Sequence, residues 1–382
     1  MINVTKLWCG TPGSMDHLRY GAETHRKPVV VWNTTRRCNL NCVHCYSKSE
    51  NKIYSGELTT QEAKVFVKDI AEYGVNVLLF SGGDPLLRHD LFEVANFASD
   101  AGLRTVLSTN GTLITETLAG QLKDAGFSYV EVSIDGIGET NNKFRGKKEA
   151  FERAVEGIRN CLKAGIKTGL RFTVTKYNFK DLPGIFELIE TEGIPRACFY
   201  HLAYVGRGTE ITKDDLTHEE TREFIDYVLK KAETFHSKNL TTEILTVDNH
   251  ADAAYLYLKL REKDSKKAEE ALKLLKLNGG NSTGTGIGCV DFNGYVHPDQ
   301  FWQHYSLGNI RTRRFSQIWE DNSEPLLSAL RNRKSRLNGK CAECQFLDIC
   351  NGNLRVRAEA FYGDTWAPDP ACYLTAQEIK PN

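Results

Sequence analysis

Residues 36–47 read RRCNLNCVHCYS, and this stretch is the strongest indication in the sequence of the fold and of the chemistry. It follows an apolar run, VVVWNTT (29–35), which has the length and composition of a buried β-strand. Its cysteines have the spacing Cys-x3-Cys-x2-Cys and are Cys38, Cys42 and Cys45. Three thiols this close in sequence indicate a metal or cluster site at the end of a strand.

Two kinds of centre are compatible with these cysteines. A zinc ion normally takes four ligands, and His44 would have to supply the fourth from a strained position between Cys42 and Cys45. A [4Fe–4S] cluster held by three cysteines instead leaves one iron free to bind a co-substrate. The missing fourth ligand favours the cluster.

From residue 29 onward, short apolar runs alternate with amphipathic stretches. The predicted strands are 29–35, 75–81, 104–109, 127–135, 168–174 and 196–203. The predicted helices between them are 59–74, 89–101, 115–125, 148–165 and 180–193. This alternation predicts an α/β fold with a parallel sheet and right-handed crossovers, as in a partial (β/α)6 barrel of the TIM type.

Three further motifs follow predicted strands: SGGDP (81–85), STNGT (108–112) and SIDG (133–136). Parallel α/β folds bind ligands at the carboxyl ends of their strands, where these motifs lie. The paired glycines Gly82 and Gly83 permit a ligand to approach the backbone closely. Together with the cysteine spacing, the motifs resemble those of radical S-adenosylmethionine (SAM) enzymes over residues 29–205, and SGGDP is similar to the family's GGEP motif.

The resemblance implies that the three cysteines bind three irons of a [4Fe–4S] cluster and that SAM chelates the fourth. Reductive cleavage of SAM then gives a 5′-deoxyadenosyl radical, which abstracts hydrogen from the substrate. Backbone oxygens of the glycine motif would bind the SAM amino group, and an arginine would pair with its carboxylate. The residues so assigned to SAM are Gly82, Gly83, Asp84, Asn110, Ser133 and Arg171.

A second group of cysteines lies near the end of the sequence, at Cys341, Cys344, Cys350 and Cys372. Four thiolates fit a structural zinc, but the spacing resembles the SPASM or twitch extension of radical SAM enzymes, which holds auxiliary [4Fe–4S] clusters. Two other cysteines of that extension are replaced, by Asp299 and Leu354. The resemblance therefore implies one auxiliary cluster, and two [4Fe–4S] clusters in the whole chain.

Four parts are predicted: an arm (1–28), the barrel core (29–205), a helical bridging region (206–280) and a SPASM-like module (281–382). Helices are predicted in the bridging region at 217–235 and 252–277. The remaining cysteines are predicted to be structural, with the roles of the first and last left open: Cys9, Cys161, Cys198 and Cys289.

Charge and composition limit the partners. Lys and Arg total 49, Asp and Glu total 49, and this balance argues against nucleic-acid binding. Apolar runs are too short to span a membrane, and the first residues lack a secretory signal pattern. The eleven cysteines without such a signal favour clusters over disulfides, so a cytoplasmic protein is expected.

The arm and the segment VHPDQFW (296–302) resemble the radical SAM subgroup that acts on haem precursors. That resemblance implies an iron tetrapyrrole substrate, with removal of the two acetate side chains of 12,18-didecarboxysiroheme to give iron-coproporphyrin III. Alternatives are a haem d1 or coprohaem side-chain enzyme and a peptide or protein maturase. Binding of a peptide or a shift of a porphyrin band would distinguish these classes.

A tetrapyrrole with several carboxylates needs polar and cationic contacts at its rim, and a histidine can serve as an axial ligand to its iron. Structural roles compete for each such residue. The candidate substrate residues are His17, Arg19, Tyr20 and His297. Basic runs at 311–314 and 331–336 are either solvated faces or docking sites for an acidic electron donor. A flavodoxin or ferredoxin is the expected low-potential donor.

Overall fold

Parallel strands form the framework of the protein. A computed structural model describes residues 1–11, 16–21 and 27–380. Within these ranges one sheet contains eleven strands. The strands are β1 (Ile2–Asn3), β2 (Val29–Thr35), β3 (Val77–Gly82), β4 (Arg104–Thr109), β5 (Tyr129–Ser133), β6 (Thr168–Thr173), β7 (Arg196–Tyr200), β8 (Glu243–Val247), β9 (Ile287–Val290), β10 (Tyr295–His297) and β11 (Gly308–Asn309).

The helices of the same ranges connect and cover these strands. The α-helices are α1 (Asp16–Tyr20), α2 (Thr60–Glu72), α3 (Leu91–Asp100), α4 (Glu116–Asp124), α5 (Glu139–Arg145), α6 (Ala150–Lys163), α7 (Leu182–Thr191), α8 (His218–Ser237), α9 (Ala251–Lys263), α10 (Ser265–Asn278), α11 (Phe315–Trp319), α12 (Pro325–Arg331), α13 (Gly339–Ala342), α14 (Leu347–Cys350) and α15 (Arg355–Tyr362). A π-helix spans Thr5–Cys9, and short 3-10 helices include Pro85–Leu87 and Gly206–Asp214.

The strand order is β1-β8-β7-β6-β5-β4-β3-β2-β9-β10-β11. Strands β2 to β8 pair with their sequence neighbours in parallel, and β9 pairs in parallel with β2 on the other side. Strands β1, β10 and β11 are antiparallel to their neighbours. All six strands expected from the sequence are present, and the sheet is an open partial barrel with an antiparallel extension at each side.

Apolar side chains of strands and helices meet in the core that holds the sheet in place. Trp32 of β2 lies against Phe66 of α2 and Phe80 of β3, with ring centroids 5.8 and 5.6 Å apart. All three rings are buried, and each contributes about 1.5–3 kcal/mol by leaving water. Helix α2 begins at a capping box in which Thr59 and Glu62 bind each other's backbone N–H groups.

The region 206–280 differs in detail from its expected helical character. It includes β8, whose sequence EILTV continues the parallel sheet beside β7. The predicted helix 252–277 is divided into α9 and α10 at Asp264, whose extended backbone and side chain cap the second helix. Helix α5 was also missed, because its polar sequence has no clear apolar face.

No helix in the described residues is long and apolar enough to cross a bilayer.

Candidate active site

A cavity opens at the carboxyl ends of the parallel strands. Each strand from β3 to β8 lines it with the residue at or just after its end: Gly82, Thr109, Ser133, Thr173, Tyr200 and Asp248. The predicted cluster and SAM residues in the lining are Cys38, Cys42, Cys45, Gly82, Gly83, Asn110, Ser133 and Arg171. The fold therefore brings together residues that span more than a hundred positions of sequence.

The three cysteines occupy the loop after β2, where a shift in the β2–β3 register between Asn33 and Thr35 ends regular pairing. Hydrogen-bond donors surround their sulfur atoms. The N–H of Leu40 lies 3.4 Å from Cys38 Sγ, and the N–H of Ser49 lies 3.4 Å from Cys45 Sγ. Donors of this kind stabilise thiolates that bind a cluster, so the loop fits an iron–sulfur group.

Burial raises the pKa of the Cys38 thiol to about 12, and burial likewise raises the pKa of Cys42. Arg145 opposes this effect at Cys42, because its Nη1 lies 3.6 Å from Cys42 Sγ. Metal coordination deprotonates thiols outright, so this burial is compatible with a cluster that supplies positive iron.

His44 does not complete a zinc site. Its Nε2 is 3.5 Å from Asp135 Oδ2, and its ring lies tilted by 34° against that of Phe144, with the centroids 4.7 Å apart. Burial lowers the pKa of His44 to about 4, so the ring is neutral near pH 7. In the described part of the chain, no three His, Cys, Asp or Glu side chains form a group able to hold one metal ion. In a [4Fe–4S] cluster each cysteine binds a different iron.

A buried ion pair between Asp135 and Arg145 lies against the cysteine loop at Cys42. Arg145 forms an ion pair with Asp135, whose other oxygen accepts the Thr173 N–H at 2.7 Å. Backbone N–H groups of Asn41 and Val43 bind carbonyl oxygens at the end of α5, at 3.2 and 3.0 Å. Helix α5 thus fixes the part of the loop that carries Cys42.

The two glycines after β3 are required by close backbone contacts. Gly83 N–H donates to Thr35 O at 2.7 Å, and a Cβ at Gly83 would overlap the carbonyl oxygens of Arg36 and Arg37. Gly82 adopts a φ of 123°, and a Cβ there would overlap Thr35 O. Because side chains are excluded, the β3 loop lies directly against the start of the cysteine loop and presents backbone to the cavity.

Asp84 is fully buried and is not among the cavity-lining residues. Its carboxylate accepts Thr109 Oγ1–H at 2.8 Å and the Asn110 N–H at 2.9 Å. It therefore ties the end of β4 to the glycine loop, and any contact with SAM would be through its backbone. Asn110 in turn donates to Asn39 Oδ1 at 2.8 Å and lies 3.8 Å from Cys38 Sγ.

Arg171 holds a fixed position in the cavity wall. Its Nη1 donates to Ser108 Oγ, its Nε is 3.8 Å from Glu131 Oε2, and its guanidinium lies 4.5 Å from the centre of the Tyr200 ring. Glu131 and Ser108 lie on neighbouring strands β5 and β4. A planar cation held in this way is suited to binding a carboxylate, although Glu131 already offsets part of its charge.

The four C-terminal cysteines are neighbours in the C-terminal module and are not among the cavity-lining residues. Burial raises the pKa of Cys350 well above its usual value, and the nearby thiols of Cys372, Cys341 and Cys344 raise it further. Gly280, with a φ of 76°, packs against the Cys350 carbonyl, where a Cβ would overlap it. Four neighbouring thiols supply the ligand number of a [4Fe–4S] cluster, in which each cysteine binds a different iron. Among the described residues these thiols do not converge on a single metal-ion position.

The two replaced cysteine positions are filled by ordinary protein contacts. Leu354 packs in a buried cluster with Val205 and Trp302. Asp299 accepts Thr283 Oγ1–H at 2.5 Å and the Phe301 N–H at 2.8 Å, and burial raises its pKa to about 6. At both positions, the residue that replaces the cysteine is thus engaged by other groups of the protein.

The four candidate substrate residues do not line the cavity. His17 is exposed, whereas Tyr20 is buried with its hydroxyl 3.4 Å from the Asn3 N–H. Arg19 Nη2 lies 3.7 Å from Met1 Sδ. His297 is buried, with Nδ1 2.7 Å from Tyr305 O.

The sequence reading missed other residues at the cavity or its wall. They are Tyr46, Arg145, Tyr200, Asp248, Gln300, Phe301 and Arg207. Arg207 clamps the cysteine loop, because its Nε donates to Cys42 O at 2.7 Å and its Nη1 to Ser49 O at 3.1 Å. Tyr46 belongs to the cysteine motif, and Gln300 and Phe301 belong to the VHPDQFW segment, so sequence motifs could have indicated these three. The others contact the site across long sequence separations.

Comparison with known families agrees with this geometry. A model of the radical SAM superfamily matches residues 32–189, which contain the cysteine loop and the strand-end motifs. A model of an iron-sulfur cluster-binding domain, SPASM, matches residues 283–345, which contain the first two cysteines of the C-terminal set. The site is thus that of a SAM- and cluster-dependent radical enzyme.

Two relatives extend along nearly the whole chain. Fe-coproporphyrin III synthase of Methanosarcina barkeri is 52% identical over 99% of each chain. Pre-heme d1 synthase of Dinoroseobacter shibae is 43% identical over 92% of this chain and 87% of its own. The chain belongs to the radical SAM superfamily, within a group of haem-related synthases, and is a radical SAM enzyme.

Solved structures share the fold at low identity. SuiB of Streptococcus suis, bound to S-adenosylmethionine, has a TM-score of 0.73 and 17% identity, covering 94% of this chain and 80% of its own. anSMEcpe with bound AdoMet has a TM-score of 0.71 and 19% identity, covering 92% and 96%. The cavity-bearing barrel and the C-terminal module therefore follow an established architecture.

Proposed function

We propose that this enzyme removes the two acetate side chains of 12,18-didecarboxysiroheme and produces iron-coproporphyrin III, with two [4Fe–4S] clusters and SAM. One observation carries the proposal. The chain combines a three-cysteine loop in a cavity with a separate four-cysteine site, and along its whole length it is 52% identical to a protein named Fe-coproporphyrin III synthase.

Residues of the cavity lining suit the cluster and SAM. Cys38, Cys42 and Cys45 would hold one cluster, and the backbone at Gly82 and Gly83 leaves room for the amino end of SAM. When bound, SAM and this cluster supply a 5′-deoxyadenosyl radical. Asn110, Ser133 and Arg171 also line the cavity and are proposed to orient the ribose and carboxylate.

Other groups in the cavity lining are aromatic or aliphatic. Tyr200, Leu202, Ala203 and Phe301 line the cavity from β7, the loop that follows β7, and the C-terminal module. A tetrapyrrole is a flat, largely apolar macrocycle with carboxylates at its rim, and it suits a wall of aromatic and aliphatic groups. Phe301 packs edge-on against Tyr46, with ring centroids 5.7 Å apart, and so joins this wall to the cysteine loop.

Each acetate side chain is proposed to leave by the same bond changes. One hydrogen atom passes from the ring carbon that bears propionate to the 5′-deoxyadenosyl radical, giving 5′-deoxyadenosine, and the bond between the neighbouring ring carbon and its carboxymethyl group breaks. A ring double bond forms, and the carboxymethyl fragment takes up one electron and one proton to become acetate. A low-potential flavodoxin or ferredoxin is the proposed electron source for the enzyme.

The test is anaerobic reconstitution followed by incubation with 12,18-didecarboxysiroheme, SAM and dithionite. We expect about eight irons per chain and a stepwise mass loss of two acetate groups. An unchanged tetrapyrrole, with 5′-deoxyadenosine still formed, would reject the substrate while retaining the radical enzyme. About four irons with one zinc would reject the second cluster.

A haem d1-type reaction is the second candidate, favoured by the 43% identity to a pre-heme d1 synthase over 92% of the chain. The same incubation separates the two reactions, because mass spectrometry identifies which side chains are lost. Loss of side chains other than the two acetates, or a tetrapyrrole product different from iron-coproporphyrin III, would favour the second candidate.

A further inference from the structure

Three arginines are almost completely buried in the C-terminal module, and their partners differ. Arg357 has a full set, with Asp369 at 2.8 and 3.0 Å and the carbonyl oxygens of Leu202 and Asp248 at 2.9 and 2.8 Å. Arg333 donates from all three nitrogens, to Leu330 O, Asn281 Oδ1 and Thr283 O. Arg355 is different.

Only one nitrogen of Arg355 has a protein acceptor in the described residues. Its Nη1 donates to Thr365 O at 3.0 Å and to Ala367 O at 2.6 Å. Its Nε and Nη2 are buried without a hydrogen-bond partner, and the residue is 0% exposed. Leaving a buried charged group half-paired costs several kcal/mol, so an anionic acceptor is expected beside it.

The neighbouring anion is identified by the surrounding thiols. Arg355 follows Cys350 by five residues, and its charge interacts with the sulfur atoms of both Cys341 and Cys350. In addition, the carbonyl oxygens that hold its Nη1 belong to the segment leading to Cys372. The open donors of Arg355 are therefore next to the four-cysteine site.

We propose that Arg355 donates its free Nε–H and Nη2–H to sulfur atoms of a [4Fe–4S] cluster on Cys341, Cys344, Cys350 and Cys372. This inference rests on the cluster in the proposed function. A cluster with four thiolates is anionic and gains one more negative charge on reduction. A buried cation with directed donors stabilises the reduced form more, so Arg355 raises the reduction potential of the cluster.

The experiment is a redox titration of the full holoenzyme monitored by electron paramagnetic resonance. Added SAM identifies the first cluster, because SAM changes the signal of the cluster that binds it. In Arg355→Met, the midpoint potential of the SAM-insensitive cluster is expected to move to a more negative value. Arg355→Lys keeps the charge but not the planar donor pair, so a smaller negative shift is expected.

Arg336→Met is the matched control, since Arg336 is exposed in the same module. In this variant the midpoint potential of the SAM-insensitive cluster is expected to stay unchanged. An unchanged midpoint in Arg355→Met, with iron content retained, would overturn the role of Arg355. If the methionine variant loses iron, the lysine variant decides: an unchanged potential overturns the role. Zinc in the wild-type site would overturn both this role and the proposed cluster.

Discussion

The two cysteine sites differ in what they leave open. The N-terminal loop supplies three thiols at the edge of a cavity, beside glycines that admit a ligand to the backbone. The C-terminal site supplies four thiols outside the cavity lining and has a buried arginine beside it. The first arrangement suits exchange of a co-substrate at a cluster, whereas the second suits exchange of electrons only.

The protein contacts that hold the two cysteine sites in place also differ. The N-terminal loop is held by long-range contacts, from Arg207 to Cys42 O and from Arg145 to Cys42 Sγ, so the thiols stay in place while the cavity side remains open. The C-terminal cysteines lie on and between the short helices α13 and α14 and in the segment that includes Cys372. The C-terminal set is also held by a distant segment, since the Asn281 N–H donates to Cys350 O at 3.1 Å beside Gly280. The N-terminal loop is thus held by arginine side chains, and the C-terminal set by close backbone packing.

Removing each cysteine set should separate the two roles, with the largest effects of any change. Replacing Cys38, Cys42 and Cys45 by Ala is expected to abolish 5′-deoxyadenosine formation and to remove about four irons. Replacing the four C-terminal cysteines by Ala should leave 5′-deoxyadenosine formation but uncouple it from acetate release. Iron analysis and chromatography of both products provide the measurement.

Cys9→Ala is the control for that experiment, because Cys9 is half-buried and belongs to neither site. It is expected to keep iron content and both products. An undiminished acetate yield in the four-cysteine variant would contradict an auxiliary role for the C-terminal site.

Each site also depends on a glycine, which permits a second comparison. Gly83→Ala would force the β3 loop away from Arg36 and Arg37, and we expect SAM affinity to fall at least about tenfold, or roughly 1.4 kcal/mol. Gly280→Ala combines a φ of 76° with overlap at Cys350, and should lower iron content without weakening SAM binding. Equilibrium binding of SAM and iron analysis give the two readouts.

Gly120→Ala is the matched control, since nothing lies within 4 Å of a Cβ at this position in α4. It should change neither readout and should stabilise the helix by about 1 kcal/mol. Equal loss of SAM affinity in the Gly83 and Gly280 variants would show that the two sites are not independent.

Much of the N-terminal site could be predicted because its motifs are short patterns in the sequence. Three cysteines, a glycine pair and strand-end motifs are short patterns, so their meeting at one edge of a parallel sheet followed from strand order alone. The contact from Arg145 to Cys42 joins residues 103 positions apart, and that from Arg207 joins residues 165 apart. No spacing or periodicity marks such pairs.

The expected substrate contacts illustrate the opposite difficulty. His297 and Tyr20 have side chains that suit a tetrapyrrole, but burial and hydrogen bonds with the protein's own backbone engage both of them. Residue type alone does not tell whether a polar group faces a cavity or completes the core. Strand β8 was hidden for a related reason, because a five-residue run between charged helices carries little periodic signal.

A buried Asp–Arg pair lies near each cysteine site, and breaking it should have effects of intermediate size. Asp135→Asn leaves Arg145 buried without its carboxylate, and Asp369→Asn does the same to Arg357. Each change should cost about 3–5 kcal/mol, read as a lower apparent melting temperature. Only Asp135→Asn should also disturb a cluster spectrum, because its partner Arg145 contacts Cys42 Sγ through its side chain. Asp369 meets Cys341 and Cys372 through its backbone, which the substitution leaves in place.

Glu139→Gln serves as the control, because the Glu139–Lys143 pair is exposed and 3.9 Å long. A surface pair of this kind contributes at most about 1 kcal/mol. Equal spectral changes in the Asp135 and Asp369 variants would contradict the difference drawn between the two supports.

Substitution of Asp299 tests whether the C-terminal module holds only one cluster. It should have the smallest effect of the changes considered. Burial raises the folded-state pKa of Asp299 from 3.8 to about 6, so the folded protein binds this proton more tightly than the unfolded chain does. Stability contributed by the group is therefore present below pH 4 and is lost as the pH rises to about 6. Asp299→Asn avoids burying the charge.

The asparagine variant should consequently be more stable than wild type at pH 7, by at most about 3 kcal/mol for this shift, with the difference vanishing near pH 4. Apparent melting temperatures of the two holoenzymes between pH 4.5 and 7.5 measure it, and the shared titration of other groups cancels. Iron content should stay at about eight per chain, because Asp299 is engaged by Thr283 and Phe301 rather than by a cluster. A loss of iron, or a destabilised variant at pH 7, would mean that Asp299 is a ligand and that the C-terminal module holds more than one centre.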